Sequence, residues 1–114
     1  MKLTKSRAEL IREAAEKLNI VGTGQALDAD YQARIDNNVD PLLMQLAKDR
    51  ICEIVDDEQI PSEWFDSIAG LLANIAAPIA GQPSSPELRL FYERMLRRVT
   101  RQDPAYVVQD AEYF

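Results

Sequence analysis

The stretch that decides the fold is IPSEWFDSIAGLLANIAAPIAG, residues 60–81. Pro61 is suited to a first helical position, and Pro78 and Gly81 predict where the helix ends. Its apolar residues recur at helical spacing and form one wide stripe: Trp64, Phe65, Ile68, Leu71, Leu72 and Ile75. Small residues between them, such as Gly70 and Ala73, allow another helix to approach closely. We expect this helix to be the central and most buried one, with Trp64 and Phe65 in the core rather than in a binding hot spot.

Two helical segments precede this stretch. The first is predicted to begin at Ser6, because Glu9 lies three residues on and completes a capping box. The second can be capped by Asp28 and contains Pro41, which removes a backbone donor inside the helical pattern. We expect either one helix broken or kinked near residues 37–40, or two short helices. Residues 49–57 follow, as an extended connector or a brief strand.

The last helix is predicted to start with Ser85 as its cap and Pro86 as its first residue. Its apolar residues are expected to face inward: Leu88, Phe91, Tyr92, Met95, Leu96 and Val99. The sequence therefore predicts an all-α fold. It is a compact four-helix bundle over residues 1–101, with the second helix kinked at Pro41, followed by an extended C-terminal tail over residues 102–114.

Charge is distributed unevenly along the chain, which has a net charge of −6. Residues 28–66 hold eleven acidic and three basic residues, whereas residues 87–101 hold five arginines and two glutamates. This asymmetry favours head-to-tail contact between copies of the chain, although the same charges could simply form solvated faces. An acidic chain of this kind is not expected to read DNA sequence, but acidic walls suit a channel through which DNA passes.

Catalytic chemistry is not indicated by the sequence. The chain has no histidine, the most common general base and zinc ligand, and its single cysteine, Cys52, has no partner for a metal or redox motif. Cys52 lies on a β-branched run and is expected to be a small core residue. We expect no enzymatic activity, no cofactor, no metal site and no membrane span.

Residues 103–114 have an unusual composition for a tail. They begin Asp103-Pro104, where a helix is hard to continue, and then carry the apolar residues Tyr106, Val107, Val108, Tyr113 and Phe114. Tails without a binding partner are usually polar and poor in aromatic residues. This composition predicts that the segment docks onto another protein.

Four segments of the chain resemble a known family: Glu13–Gln25, Val39–Leu46, Ile60–Phe65 and Leu71–Gly81. In this order they are similar to the small head-to-tail connector proteins, also called adaptor or head-completion proteins, of tailed bacteriophages and related particles. The resemblance covers residues 8–101 and rests on hydrophobic pattern and order. Asn19 departs from the family, which usually has glycine there, but asparagine also tolerates the left-handed conformation.

The resemblance implies a structural role in the virion at the head-tail junction, for a protein made in the host cytoplasm. Such connectors form a ring, typically of twelve copies, beneath the portal protein of the capsid. The ring extends the DNA channel, lies close to DNA without reading its sequence, and binds the next tail component. The C-terminal segments of such connectors dock into crevices of the portal ring.

Three sets of residues follow from the charge pattern, the tail and the resemblance. Portal docking is assigned to Arg101, Pro104, Tyr106, Val107, Val108, Tyr113 and Phe114. Contact between subunits is assigned to Arg94, Arg97, Arg98, Asp56, Asp57 and Glu58. Asp28, Asp30 and Asp36 are expected to line the channel.

Two other classes of function compete with the connector hypothesis. A small helical DNA-binding or regulatory protein could use the arginine-rich last helix, since short helices around a glycine-containing turn can resemble a helix-turn-helix. That helix has few polar side chains suited to reading bases, which weighs against this alternative. An enzyme using carboxylates alone is the third possibility.

Overall fold

Residues 60–81 form the centre of the fold in the computed structural model, which describes residues 4–101, with the backbone alone at Arg101. Five α-helices, one 3₁₀ helix and two short strands make up this part of the chain. The strands and α-helices are β1 (Thr4–Lys5), α1 (Arg7–Lys17), α2 (Ala29–Asp36), α3 (Val39–Lys48), β2 (Ile60–Pro61), α4 (Ser62–Ala76) and α5 (Pro86–Arg101). The 3₁₀ helix (Ala77–Ala80) follows α4 directly and ends at Gly81. The all-α prediction is confirmed. Helix α4 packs against each of the other four α-helices, and Trp64 and Phe65 are buried, as predicted.

Helix α1 begins as the sequence predicts. Ser6 and Glu9 form the capping box: the Ser6 hydroxyl accepts a hydrogen bond from the backbone N–H of Glu9 at 3.2 Å, and the Glu9 carboxylate accepts one from Ser6 N–H at 3.1 Å. The helix ends before Asn19, whose φ of 61° is left-handed. Asparagine thus adopts the left-handed conformation at the position where the resemblance leads one to expect glycine.

Pro41 does not kink a helix, and this part of the prediction is wrong. The helix stops at Asp36, and a new one starts at Val39 after a turn at Asn37 and Asn38. Pro41 therefore lies in the first turn of α3. Backbone N–H groups in that turn have no intrahelical acceptor, so proline removes no helical hydrogen bond there. The alternative of two short helices is the correct one, and the described chain has five α-helices instead of four.

Residues 49–57 form a connector and no strand, so the first of the two alternatives is correct. Ile51 and Cys52 of this connector are buried in the core. The two strands lie elsewhere and were not predicted: Thr4 pairs with Pro61, and Lys5 pairs with Ile60, in an antiparallel arrangement. Pro61 belongs to β2 and is the N-cap residue of α4. The first helical residue is therefore Ser62, one residue later than predicted.

Asn74 fixes the start of α5 relative to α4. Its side-chain oxygen accepts a hydrogen bond from Ser85 N–H at 2.7 Å, and its side-chain NH₂ donates to the Ser85 carbonyl at 3.0 Å. The Ser85 hydroxyl in turn accepts from Leu88 N–H at 3.2 Å and caps α5, as predicted. A polar side chain inside the apolar α4 run thus sets the position at which the last helix begins.

The ring of Tyr92 lies directly over Gly70, where α4 and α5 approach each other. A Cβ atom built on Gly70 would clash with three atoms of that ring. Ala73 and Ala77 line the same cavity as Gly70 and Tyr92, and both are buried. Glycine is therefore required at position 70 for close packing, although it lowers the helical propensity of α4.

We predict that Gly70→Ala destabilises the fold by about 1–3 kcal/mol, because the Tyr92 ring has to move. Helix propensity alone would give the opposite sign, a stabilisation of up to about 1 kcal/mol. Chemical denaturation of Gly70→Ala, Tyr92→Ala and the double variant measures the coupling between the two sites. The clash is refuted if Gly70→Ala lowers the free energy of unfolding by the same amount in the Tyr92→Ala background as in the wild type.

Candidate interaction surfaces

Helix α5 presents an apolar stripe to solvent. Leu88, Phe91 and Met95 are all exposed, and their i, i+3, i+7 spacing places them on one side of the helix. We call these three residues the α5 stripe. The inward prediction is correct for buried Leu96, and Tyr92 and Val99 are partly buried against the core.

The same prediction is wrong for the three residues of the α5 stripe. The reason is that α5 packs mainly against one partner, α4, so only one narrow side of it can be buried. Thr100 joins Leu96 on that buried side. No described element covers the apolar residues of α5 that lie outside this buried side.

Arginines border the α5 stripe. Arg94 and Arg98 lie three and seven residues after Phe91, so they share its side of the helix. Within residues 4–100, Arg94, Arg97 and Arg98 form no ion pair, whereas Arg89 pairs with Glu93 at 3.0 Å. The surface around the stripe is therefore both apolar and positively charged.

A second surface lies on α3 and residues 53–57 and forms an open concavity of about 560 Å³. We call it the acidic concavity. Its apolar lining includes Met44, which is 73% exposed, and Val55, which is 93% exposed. Its charged lining consists of Asp40, Glu53, Asp56 and Asp57, and among the described residues no basic side chain lines it. Asp40 and Asp57 are paired with Arg7, which lies outside the lining.

Arg7 holds three acidic side chains from separate parts of the chain. Its guanidinium contacts Asp36 at 2.8 Å, Asp40 at 2.7 Å and Asp57 at 2.6 Å, and also donates to the Asp36 carbonyl. The hydrogen bonds that Arg7 donates to Asp40 and Asp36 raise the pKa of Arg7 above its usual range despite partial burial. We call these four residues the Arg7 cluster. It joins the start of α1, the break between α2 and α3, and the connector before β2.

The residues assigned to channel lining do not gather at one point. The Asp28 carboxylate accepts a hydrogen bond from Asp30 N–H at 2.7 Å and caps α2. The Asp30 carboxylate pairs with Arg34 at 3.2 Å, one turn along α2. Asp36 belongs to the Arg7 cluster. Their role in a channel stays a prediction.

The acidic residues assigned to subunit contact lie in one turn. Asp56 accepts a hydrogen bond from Glu58 N–H at 3.0 Å, which stabilises that turn. Asp57 is paired within the chain to Arg7. Asp56 and Glu58 are exposed. The basic residues of the same assignment lie on α5, so a contact between copies stays a prediction with two separate surfaces available to it.

The residues assigned to portal docking lie outside the described part of the chain. They are the side chain of Arg101 together with Pro104, Tyr106, Val107, Val108, Tyr113 and Phe114. The backbone of α5 reaches Arg101, so residues 102–114 follow directly from the helix that carries the stripe.

Arg7 was missed in the sequence, although a signal for it exists. A basic residue directly after the cap faces the positive end of the helix dipole, which is unfavourable. Arginine at that place therefore needs acidic partners from elsewhere in the chain. Sequence alone does not say which of the many aspartates provide them.

Cys52 is 2% exposed, and burial raises the pKa of its thiol to about 12. Such a thiol is protonated near neutral pH and is not suited to act as a nucleophile. Within residues 4–101, no group of cysteine and acidic side chains is arranged to hold a metal ion, and no helix is long and apolar enough to cross a membrane.

Comparisons with protein family models, curated proteins and solved structures gave no match.

We predict that Arg7→Ala lowers the free energy of unfolding by about 1–2 kcal/mol, because it leaves three carboxylates close together without their cation. Two of the three, Asp36 and Asp40, are substantially exposed, which limits the effect. Arg34→Ala, which breaks one exposed pair within α2, is the matched control and should cost about 0.5 kcal/mol or less. Urea denaturation at low and high salt tests this; equal losses for both variants would contradict the cluster's role.

Proposed function

We propose that this protein is a structural head-to-tail connector of a tailed bacteriophage or a related particle, without enzymatic activity. It forms a ring beneath the capsid portal, extends the DNA channel and links the head to the tail. The observation that carries the proposal is the exposed α5 stripe with its arginines, on the helix that precedes the apolar sequence of residues 102–114. An exposed apolar and basic helix leads directly into an apolar segment, which is the arrangement of a docking element.

The finer description of the fold belongs to this proposal. Helices α2 and α3 together take the place of one helix, so α1, α2–α3, α4 and α5 form a four-helix bundle. Residues 102–114 form the docking tail that leaves it. The resemblance of residues 8–101 to connector proteins supports the same division.

Anchoring to the portal is assigned to apolar side chains of residues 102–114. Tyr106, Val108, Tyr113 and Phe114 would fill crevices of the portal, and Pro104 would reduce the conformational entropy that the segment loses on binding. Tyrosine and phenylalanine supply large contact area with few rotatable bonds. The ring of neighbouring copies would be closed by contacts between the acidic and basic surfaces.

A DNA-binding protein is the second candidate, because five arginines lie on α5. The α5 stripe weighs against it: leucine, phenylalanine and methionine occupy the exposed side between the arginines, where DNA contact calls for polar and basic groups. The chain's net charge of −6 also opposes binding to phosphates.

We predict that the purified protein adds a ring of density to portal rings of its own virus in negative-stain images. Replacement of Tyr106, Tyr113 and Phe114 by serine should abolish this density, because the anchors are lost. Replacement of Gln109, Asp110 and Glu112 by alanine in the same segment is the matched control and should preserve it. Density retained after loss of the anchors would place the portal contact elsewhere.

A separate measurement tests the DNA-binding alternative. We predict no retardation of duplex DNA in a gel-shift assay at about 0.15 M salt, where binding by phosphate contacts alone is already weak. A salt-dependent shift that disappears in Arg94→Glu/Arg98→Glu would favour the DNA-binding protein over the connector.

A further inference from the structure

The α5 stripe and the acidic concavity complement each other. The stripe offers Leu88, Phe91 and Met95, with Arg94 and Arg98 beside them. The acidic concavity offers the opposite charge around exposed apolar side chains. Each surface thus has the apolar and charged character that the other needs in a binding partner.

The two surfaces belong to different elements of the fold. The acidic concavity is formed by α3 and residues 53–57, and no residue of α5 lines it. One copy of the chain can therefore use both surfaces at the same time. A contact between two unlike surfaces is heterologous and repeats from copy to copy, which produces a ring when the rotation closes.

We infer that the α5 stripe of one copy docks into the acidic concavity of the next copy. The inference rests on the proposed ring and identifies the surfaces that build it. Phe91 is the central anchor, because it is the aromatic member of the stripe and lies between Leu88 and Met95. Arg94 and Arg98 face Asp56, which lines the acidic concavity.

Residues 102–114 are the competing occupant of the stripe. They are apolar and carry Asp103, Asp110 and Glu112 without a basic residue, so they too complement α5. A segment of this charge does not suit the acidic concavity, however, and would leave Met44 and Val55 uncovered. A single contact between copies accounts for both surfaces.

Leu90 provides a matched control for Phe91. Both side chains are 53% exposed, and they are neighbours in the sequence. They differ in direction, because successive residues on a helix are about 100° apart and Leu90 lies off the stripe. A substitution at either position removes an exposed apolar side chain, but only Phe91 belongs to the proposed contact.

The experiment is cross-linking of the full chain with a short bismaleimide, with and without portal rings. Cys52 does not interfere, because it is buried and its thiol is protonated. A chain carrying both Val55→Cys and Met95→Cys keeps the Phe91 anchor and should give a ladder of covalent oligomers. The pair Val55→Cys and Leu90→Cys should give at least about tenfold less product, because Leu90 points away from the neighbouring copy.

A second measurement uses two defective variants. Phe91→Ser has a damaged stripe, and Val55→Glu has a damaged concavity, yet each keeps the other surface intact. Neither should be incorporated into oligomers on its own, whereas an equal mixture should form one-to-one dimers. Leu90→Ser is the control that keeps both surfaces and should still form oligomers. Raising the salt concentration should weaken the dimer, because charged groups flank the contact.

The outcomes separate the contact from the connector function. No ladder in either condition, or equal ladders for the Met95 and Leu90 pairs, overturns the contact even when portal rings still gain density. A ladder that appears only after deletion of residues 103–114, with and without portal rings, also overturns it for the full chain, because the chain's own segment then covers the stripe. Ladder formation without any density on portal rings upholds the contact and refutes the connector function.

Discussion

The packing of Tyr92 against Gly70 determines how the rest of α5 is presented. Once that ring lies on α4, the rotation of α5 about its own axis is set, and Leu96 and Thr100 must face the core. The residues of the α5 stripe then lie on the outside as a geometric consequence. Asn74 fixes the point along α4 at which α5 begins, through its two hydrogen bonds to Ser85. Gly70 and Asn74 of α4 thus determine the orientation and position of the α5 surface that we assign to docking.

Charge within the chain is used in two ways. Three carboxylates are satisfied internally by Arg7, and that cluster joins segments that share no other described ion pair. Arg94 and Arg98 on α5 have no such partner within the described residues. The first arrangement stabilises one copy, whereas the second leaves charge for contact with another molecule. Net charge along the sequence indicates the imbalance but does not distinguish these two uses.

Local signals in the sequence predicted local structure well. The capping box of α1, the Ser85–Pro86 start of α5 and the central position of α4 depend on neighbouring residues, and all were found as expected. The errors concern the contacts that each helix makes with other parts of the chain. Helical spacing identifies an apolar side of α5 but cannot tell how much of it another helix covers, so Phe91 and Met95 were wrongly placed inside. The Arg7 cluster depends on contacts across 29 to 50 residues, and no pattern in the sequence encodes them. The assignment of function to residues 102–114 still rests on composition and resemblance.

The same long separations have a kinetic consequence. The three carboxylates reach Arg7 only after the chain has closed large loops, which delays such contacts relative to the formation of single helices. Contacts that are absent when the folding barrier is crossed slow unfolding without accelerating folding. We therefore expect the Arg7 cluster to form late in folding, to slow unfolding and so to lengthen the lifetime of the native state. In the proposed role, as part of an assembled particle, that lifetime matters more than the speed of folding.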